Sequence, residues 1–336
     1  MRRLASALAL CALAALPAVA QDTPRASAPA ADAATRARGK LLMVGSSSLL
    51  GLYHPVAGAI CRLLNRDHRK HGLRCSAEVS EGSAPNLEGL RDGEYELALV
   101  QSDLLWGAAR GEGAYAGRGR FDELRSVFAL YPEAVSVLAR KETNARLLRD
   151  LIGKRLWLGE PGSGMRRASE EAIRLFGLPL KEVSIVDLPE AESGAALCEG
   201  RIDAMVRIEG HPAPAFRMPT SNCGARFLTA SAEAISQVTG PRPYLMRVEI
   251  PGNLYASNPV DINTFGVRAV LATTSRLPAD DVYAIAKTVF DNFQELRKLH
   301  PALEHLAHAD MVEVGNVAPL HVGATRLYRE KGWLKP

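Results

Sequence analysis

The stretch Leu156–Glu171, LWLGEPGSGMRRASEE, decides how the chain is read: a short apolar strand, a turn holding Gly159, Pro161, Gly162 and Gly164, then a helix. A strand feeding a glycine-rich turn and a helix N-terminus directs free backbone N–H groups and the positive end of a helix dipole at one point, where an anion is stabilised. Two better-known motifs do not fit. A phosphate loop needs Lys and Ser or Thr after its last glycine, and Met165 and Arg166 stand there. A hydrolase elbow needs one residue between its serine and each glycine, whereas Ser163 is flanked directly by Gly162 and Gly164. What fits is a small-anion or carboxylate cradle, with Ser163 as hydroxyl donor and Arg166 as charge partner. A plain strand-to-helix turn is the competing interpretation.

Outward from this stretch, strands with polar ends recur. Lys40–Val44 ends in Gly45-Ser46-Ser47-Ser48, and Pro55 then opens a helix. Leu73–Val79 runs into Glu81-Gly82-Ser83-Ala84-Pro85-Asn86 ahead of a helix over Leu87–Asp92, and Tyr95–Val100 ends in Gln101-Ser102-Asp103. Strand ends loaded with Ser, Asn or Gln, each followed by a helix, describe an open α/β sheet with its site at the carboxyl edge. The same Ser83, Asn86, Gln101 and Ser102 also suit helix caps, so the local pattern leaves both roles open.

One segment repeats: Leu90–Leu99, LRDGEYELAL, and Leu197–Val206, LCEGRIDAMV, match at a constant offset of 107 positions. The repeat points to two lobes built alike. Residues 40–132 plus 240–336 are assigned to the first lobe and 133–239 to the second. A strand over Ser126–Tyr131 then closes the first part, and separate strands over Val135–Ala139, Ser184–Asp187 and Asp203–Ile208 belong to the second. A strand over Thr264–Ala272 and one long amphipathic helix from Pro278 to about His300 return to the first lobe. A ligand would then sit between the lobes.

Met1–Ala20 carries Arg2 and Arg3, an apolar run from Leu4 to Leu16 and an Ala18-Val19-Ala20 exit, the pattern of a cleaved secretory signal. Residues 21–39 read as a disordered leader. Loss of Arg2 and Arg3 takes the formal charge from +4 to +2, and no basic stripe interleaved with aromatics argues for nucleic acid. Four cysteines remain after cleavage, and an even number in an exported chain favours disulfides. Of the three connectivities, local spacing selects Cys61–Cys75 and Cys198–Cys223. With no C-x-x-C and no paired histidine beside them, no metal site is expected.

Further stretches carry a resemblance: GAICRLLN and HGLRCS within 58–76, GSAPNLEGLRDGE at 82–94, LVQSD at 99–103, LIGKRLWLGEPGSGMR at 151–166, ALCEGRIDA at 196–204, EGHPAP at 209–214, NPVDINTFGV at 258–267 and APLHVGATRLYREKG at 318–332. Together and in this order they resemble the TAXI family, the extracytoplasmic solute receptors of TRAP transporters. The resemblance implies an α/β, two-lobe type II periplasmic-binding-protein fold with crossing hinge strands. It implies a periplasmic receptor that closes on a small organic acid, a dicarboxylate such as glutamate, 2-oxoglutarate or a C4 acid, and delivers it to TRAP membrane subunits.

No catalysis and no cofactor are expected, and the receptor is expected to be a monomer. The ligand contacts implied are Gly45 and Tyr53 in the first loop, Ser83 and Asn86 in the second, Gln101 and Ser102 in the third, then Ser163, Gly164 and Arg166. His211 is a further candidate that suits a turn-fixing role equally. The first loop, GSSSLLGLY over Gly45–Tyr53, is two residues longer than the family's usual G-S-T-G-G-T-Y. Two other functions fit the residues: a sensory module that closes on the same ligand, and a hydrolase built on Ser163.

Overall fold

The computed structural model describes residues 39–49 and 51–334; the expected signal, residues 1–20, and residues 21–38 of the expected leader lie outside the described residues. Strands of two to six residues build the two sides of the sheet, and its inner ones are apolar runs, because a strand covered on both faces has no polar side to show. They are β1 (Lys40–Gly45), β2 (Leu73–Glu78), β3 (Leu97–Gln101), β5 (Arg155–Trp157), β6 (Ser184–Ile185) and β7 (Ala204–Glu209). Two much longer strands, β4 (Leu124–Ala139) and β10 (Ile262–Thr274), cross the middle. The order is β2-β1-β3-β10-β4-β7-β5-β6, with β8 (Arg226–Phe227) on β4 and β9 (Met246–Ile250) on β10.

β1 lies parallel between β2 and β3, and β5 lies parallel between β6 and β7. The antiparallel pair β4 and β10 separates these two sets. The same middle-first order thus occurs on both sides of a crossing pair, which is the expected two-lobe type II arrangement. The 107-residue repeat marks equivalent places in it: the first copy runs through the end of helix α2 (Ser83–Asp92) into β3, the second through the end of α5 (Ser193–Glu199) into β7.

Two expectations about elements are corrected. The strands expected at Ser126–Tyr131 and Val135–Ala139 are one, because β4 continues through Pro132. Proline cannot donate to a ladder, and a register shift in β10 between Arg268 and Val270 lies beside Arg268, the residue opposite Pro132. The crossing is tight: a Cβ on Gly266 would lie 2.1 Å from the Glu133 carbonyl oxygen, so only glycine fits there. The long helix expected from Pro278 is two, α7 (Ala279–Asp291) and α8 (Phe293–Leu299). Asn292 stands between them with its side chain turned back to the Thr288 carbonyl at 2.8 Å, a local bond that competes with helix continuation.

Side chains of β4 enter all four apolar clusters: Phe128 and Tyr131 in one, Leu124 and Ala129 in another, Val135 and Val137 in a third, Ala134 and Leu138 in the fourth. Both expected disulfides form. Cys61–Cys75 fastens α1 (Tyr53–Arg66) to β2 across a Cα separation of 5.0 Å, and Cys198–Cys223 joins α5 to the end of α6 (Pro214–Asn222) across 5.4 Å.

Candidate functional site

The polar strand ends gather on one cavity of about 540 Å³ at the carboxyl edge of the sheet. Three helices begin on its wall: α1 at Tyr53, α2 at Ser83 and α4 (Gly164–Leu175) at Gly164. The first-turn amides of a helix have no partner within it, so these starts supply donors and a positive dipole end to the cavity.

Five of the ten residues expected in the site line this cavity: Tyr53, Ser83, Gln101, Ser163 and Gly164. Ser83 Oγ accepts from the Gln101 amide at 3.0 Å and lies 3.4 Å from Tyr53 Oη. Ser163 caps α4, accepting from the Arg166 amide at 3.1 Å and donating to the Glu160 carbonyl at 2.7 Å.

The other five lie outside its lining, each for a visible reason. Asn86 is fully buried and ties strand ends together, donating to the carbonyls of Ser46 at 2.7 Å and Leu99 at 2.8 Å. Gly45 ends β1 against Asn86 and the ring of Tyr95. Ser102 Oγ accepts from the Arg268 amide at 2.9 Å and donates to the Tyr244 carbonyl at 2.8 Å, binding the start of α3 (Ser102–Arg110) to its neighbours. The Arg166 guanidinium turns away to the Gly159 carbonyl at 3.2 Å and to Asp187, so it is not the charge partner in the cavity.

His211 is packed among Phe216, Phe227 and Tyr255, with Nε2 2.8 Å from Ser136 Oγ and Nδ1 2.7 Å from Tyr255 Oη. Burial pushes its pKa down to about 3, which suits a neutral ring holding a turn.

The sequence reading missed Glu133, Arg207, Glu209, Trp157 and Leu52, all on the cavity wall. Glu133, on β4, is 4% exposed; its Oε2 accepts from Tyr53 Oη at 3.1 Å and Gln101 Nε2 at 2.9 Å. Burial raises its pKa to about 8 against those two bonds. Arg207, on β7, is 6% exposed and bonded at 2.5 Å to each of Glu190 and Glu209. Burial opposes its charge, but the two carboxylates outweigh that and hold it protonated. The available signal was a charged residue inside an apolar strand, Glu133 after Tyr131-Pro132 and Arg207 within Ala204-Met205-Val206-Arg207-Ile208, since such groups are buried only when paired or in use.

Among the described residues the lining carries five carboxyl groups, from Glu81, Glu133, Glu160, Glu190 and Glu209, against the single guanidinium of Arg207. Among the described residues no group of three or more His, Cys, Asp or Glu is placed to hold a metal ion. Leu52, on the cavity wall, packs against Gly210, where a Cβ would come within 2.6 Å of Leu52 Cδ2.

A family model described as the NMT1-like family matches residues 44–332. Among solved structures, a protein from Bordetella bronchiseptica RB50 is 14% identical, with 87% of this chain and 98% of that chain covered and a TM-score of 0.50. The periplasmic aliphatic sulphonate binding protein SsuA from Escherichia coli is 14% identical over 80% of each chain, with a TM-score of 0.45. The GluR0 ligand-binding core from Nostoc punctiforme, solved with L-glutamate, is 14% identical over 78% of this chain and 98% of that one, with a TM-score of 0.43. Likeness at these identities concerns the fold alone.

Proposed function

The chain belongs to the NMT1-like family, and from that premise we propose that it is an extracytoplasmic solute receptor, which captures a small organic acid between its two lobes and hands it to a membrane transporter. The observation that carries this is the convergence of the starts of α2 and α4, with the Ser83 and Ser163 hydroxyls, on one 540 Å³ cavity. A carboxylate of the solute would lie against the first-turn amides of those helices, where charge-assisted hydrogen bonds in a site drained of water are strong. Among the described residues the wall offers no nucleophile paired with a base: the Ser163 hydroxyl gives its hydrogen to the Glu160 carbonyl, and none of the lining residues is a histidine. The resemblance at 82–103 and 151–166 supports TRAP membrane subunits as the partner and dicarboxylates among the acids. The secretory-signal pattern of residues 1–20 agrees with a receptor working outside the cytoplasm.

The test is a thermal-shift screen of the chain from Gln21 onward, stripped of co-purified solute, against glutamate, aspartate, 2-oxoglutarate, succinate, malate and fumarate. A solute at a hundred times its dissociation constant adds about 2.7 kcal/mol of stability, which reads as several degrees. A screen in which no acid shifts the transition overturns the receptor reading.

A further inference from the structure

We propose that Glu133, on the cavity wall, is the counter-ion of the solute: its unbonded oxygen receives an ammonium group carried by the same small acid whose carboxylate meets the helix starts. The proposal rests on the receptor reading above and narrows it, from organic acids in general to amino-bearing ones.

The direction of the hydrogen bonds is the first observation. The Gln101 amide donates to Ser83 Oγ, so the hydroxyl hydrogen of Ser83 is left for Tyr53 Oη, 3.4 Å away. Tyr53 in turn donates to Glu133 Oε2, and Gln101 Nε2 donates to the same oxygen. Every donor in this chain runs toward Glu133 and stops on Oε2. Oε1 receives no bond from the described residues, although Glu133 lines the cavity and is only 4% exposed. A carboxyl on a cavity wall that takes two donors on one oxygen and leaves the other without a bond among the described residues can take up negative charge when a cation reaches it.

The missing counter-charge is the second. The groups facing Glu133 are Tyr53 from α1, Ser83 from α2, Gln101 from β3, Asp103 from α3, Tyr131 from its own strand and Glu209 from β7. None is a cation. Arg207 is taken by Glu190 and Glu209, and Arg268, on the paired strand β10, donates to the Leu130 carbonyl and to Asp310. With no cation among the described residues facing it, Glu133 stays neutral by protonation, and a cation arriving with the solute would supply the partner that its ionised form needs. Glu160, Glu190 and Glu209 on the wall bias the cavity the same way, against a solute whose charges are all negative.

The proton balance gives a direct readout. Before binding at neutral pH, burial keeps Glu133 protonated for most of the time. An ammonium on Oε1 favours the carboxylate, so the carboxyl proton passes to the buffer while the ammonium keeps its own. Binding an amino acid should therefore release a proton, and binding a plain acid should release none.

The experiment is titration calorimetry of the chain from Gln21 onward at pH 7, in two buffers of different ionisation enthalpy. Glutamate is compared with 2-oxoglutarate and aspartate with malate, for the wild type and for Glu133→Gln. The expected result is that the amino member of a pair binds tighter by roughly thirtyfold or more, the low end of what a buried charge pair loses with one partner. That binding should release close to one proton, and both the preference and the release should vanish in Glu133→Gln. If the variant does not fold, the wild-type ratio and proton count decide alone. Plain acids binding as tightly as amino acids, without proton release, overturn the role of Glu133 and leave the receptor reading standing. Failure of every acid, amino or plain, to bind the wild type removes both.

Discussion

At the scale of single residues, two buried groups set opposite limits on stability. The folded-state pKa of Glu133, about 8, lies above the ordinary 4.5, so between these values the folded chain holds more protons than the unfolded one. Its contribution is therefore present at low pH and is lost as pH rises toward 8. Without solute, Glu133→Gln should match the wild type near pH 4.5 and exceed it above pH 8, by an amount on the order of a few kcal/mol in urea unfolding. A difference constant across that range would mean that Glu133 ionises freely. His211 works in reverse. With its pKa depressed from 6.5 to about 3, the folded chain binds fewer protons than the unfolded one, and stability falls as pH drops through that window. Imidazole NMR should find His211 still neutral at pH 5; a ring that titrates near 6.5 would contradict its burial among Phe216, Phe227 and Tyr255.

At the scale of elements, the helix starts at Ser83 and Gly164 hold the donors, and the long side chain of the opening motif does not. Arg166 is anchored to the Gly159 carbonyl and Asp187 at the back of its own turn. Arg166→Ala should therefore leave solute affinity within about twofold, whereas Ser83→Ala should weaken it by roughly tenfold, since a residue outside the contact costs little and a hydroxyl left out of a buried network costs more. Affinities measured side by side decide this. A large loss in Arg166→Ala alone would return the guanidinium to the cavity.

At the scale of the whole molecule, β4 and β10 are the only strands among those described that serve both halves of the sheet, and their tight crossing at Gly266 is where the lobes would bend. Leu52, from the first loop and on the cavity wall, already meets Gly210, just past β7. A larger residue at Gly210 has to push that contact open. Small-angle scattering should show the wild type contracting when a binding solute is added, and Gly210→Leu should contract less and bind more weakly. Equal contraction in both would place closure away from this contact.

Much of this protein was legible in its sequence because the signals are local. Apolar runs fixed the inner strands, strand ends rich in Ser, Asn and Gln located the carboxyl edge, the 107-residue offset announced two similar halves, and short cysteine spacings selected both disulfides. Tyr53, Ser83, Gln101, Ser163 and Gly164, the expected contacts that line the cavity, each belong to a strand-to-helix turn, a pattern written within a few neighbouring residues. What only the tertiary structure decided depends on groups far apart in the chain. Ser83 and Asn86 have the same local credentials, yet one opens on the cavity and the other is consumed by the carbonyls of Ser46 and Leu99. Arg166 and Arg207 are both arginines beside the site, and only the positions of Asp187, Glu190 and Glu209 settle which of them reaches its wall. Glu133 lies between two apolar stretches of one crossing strand, and its character comes from Tyr53, Gln101 and the lack of a nearby cation, because the free energy of a buried charge is set by what surrounds it in space.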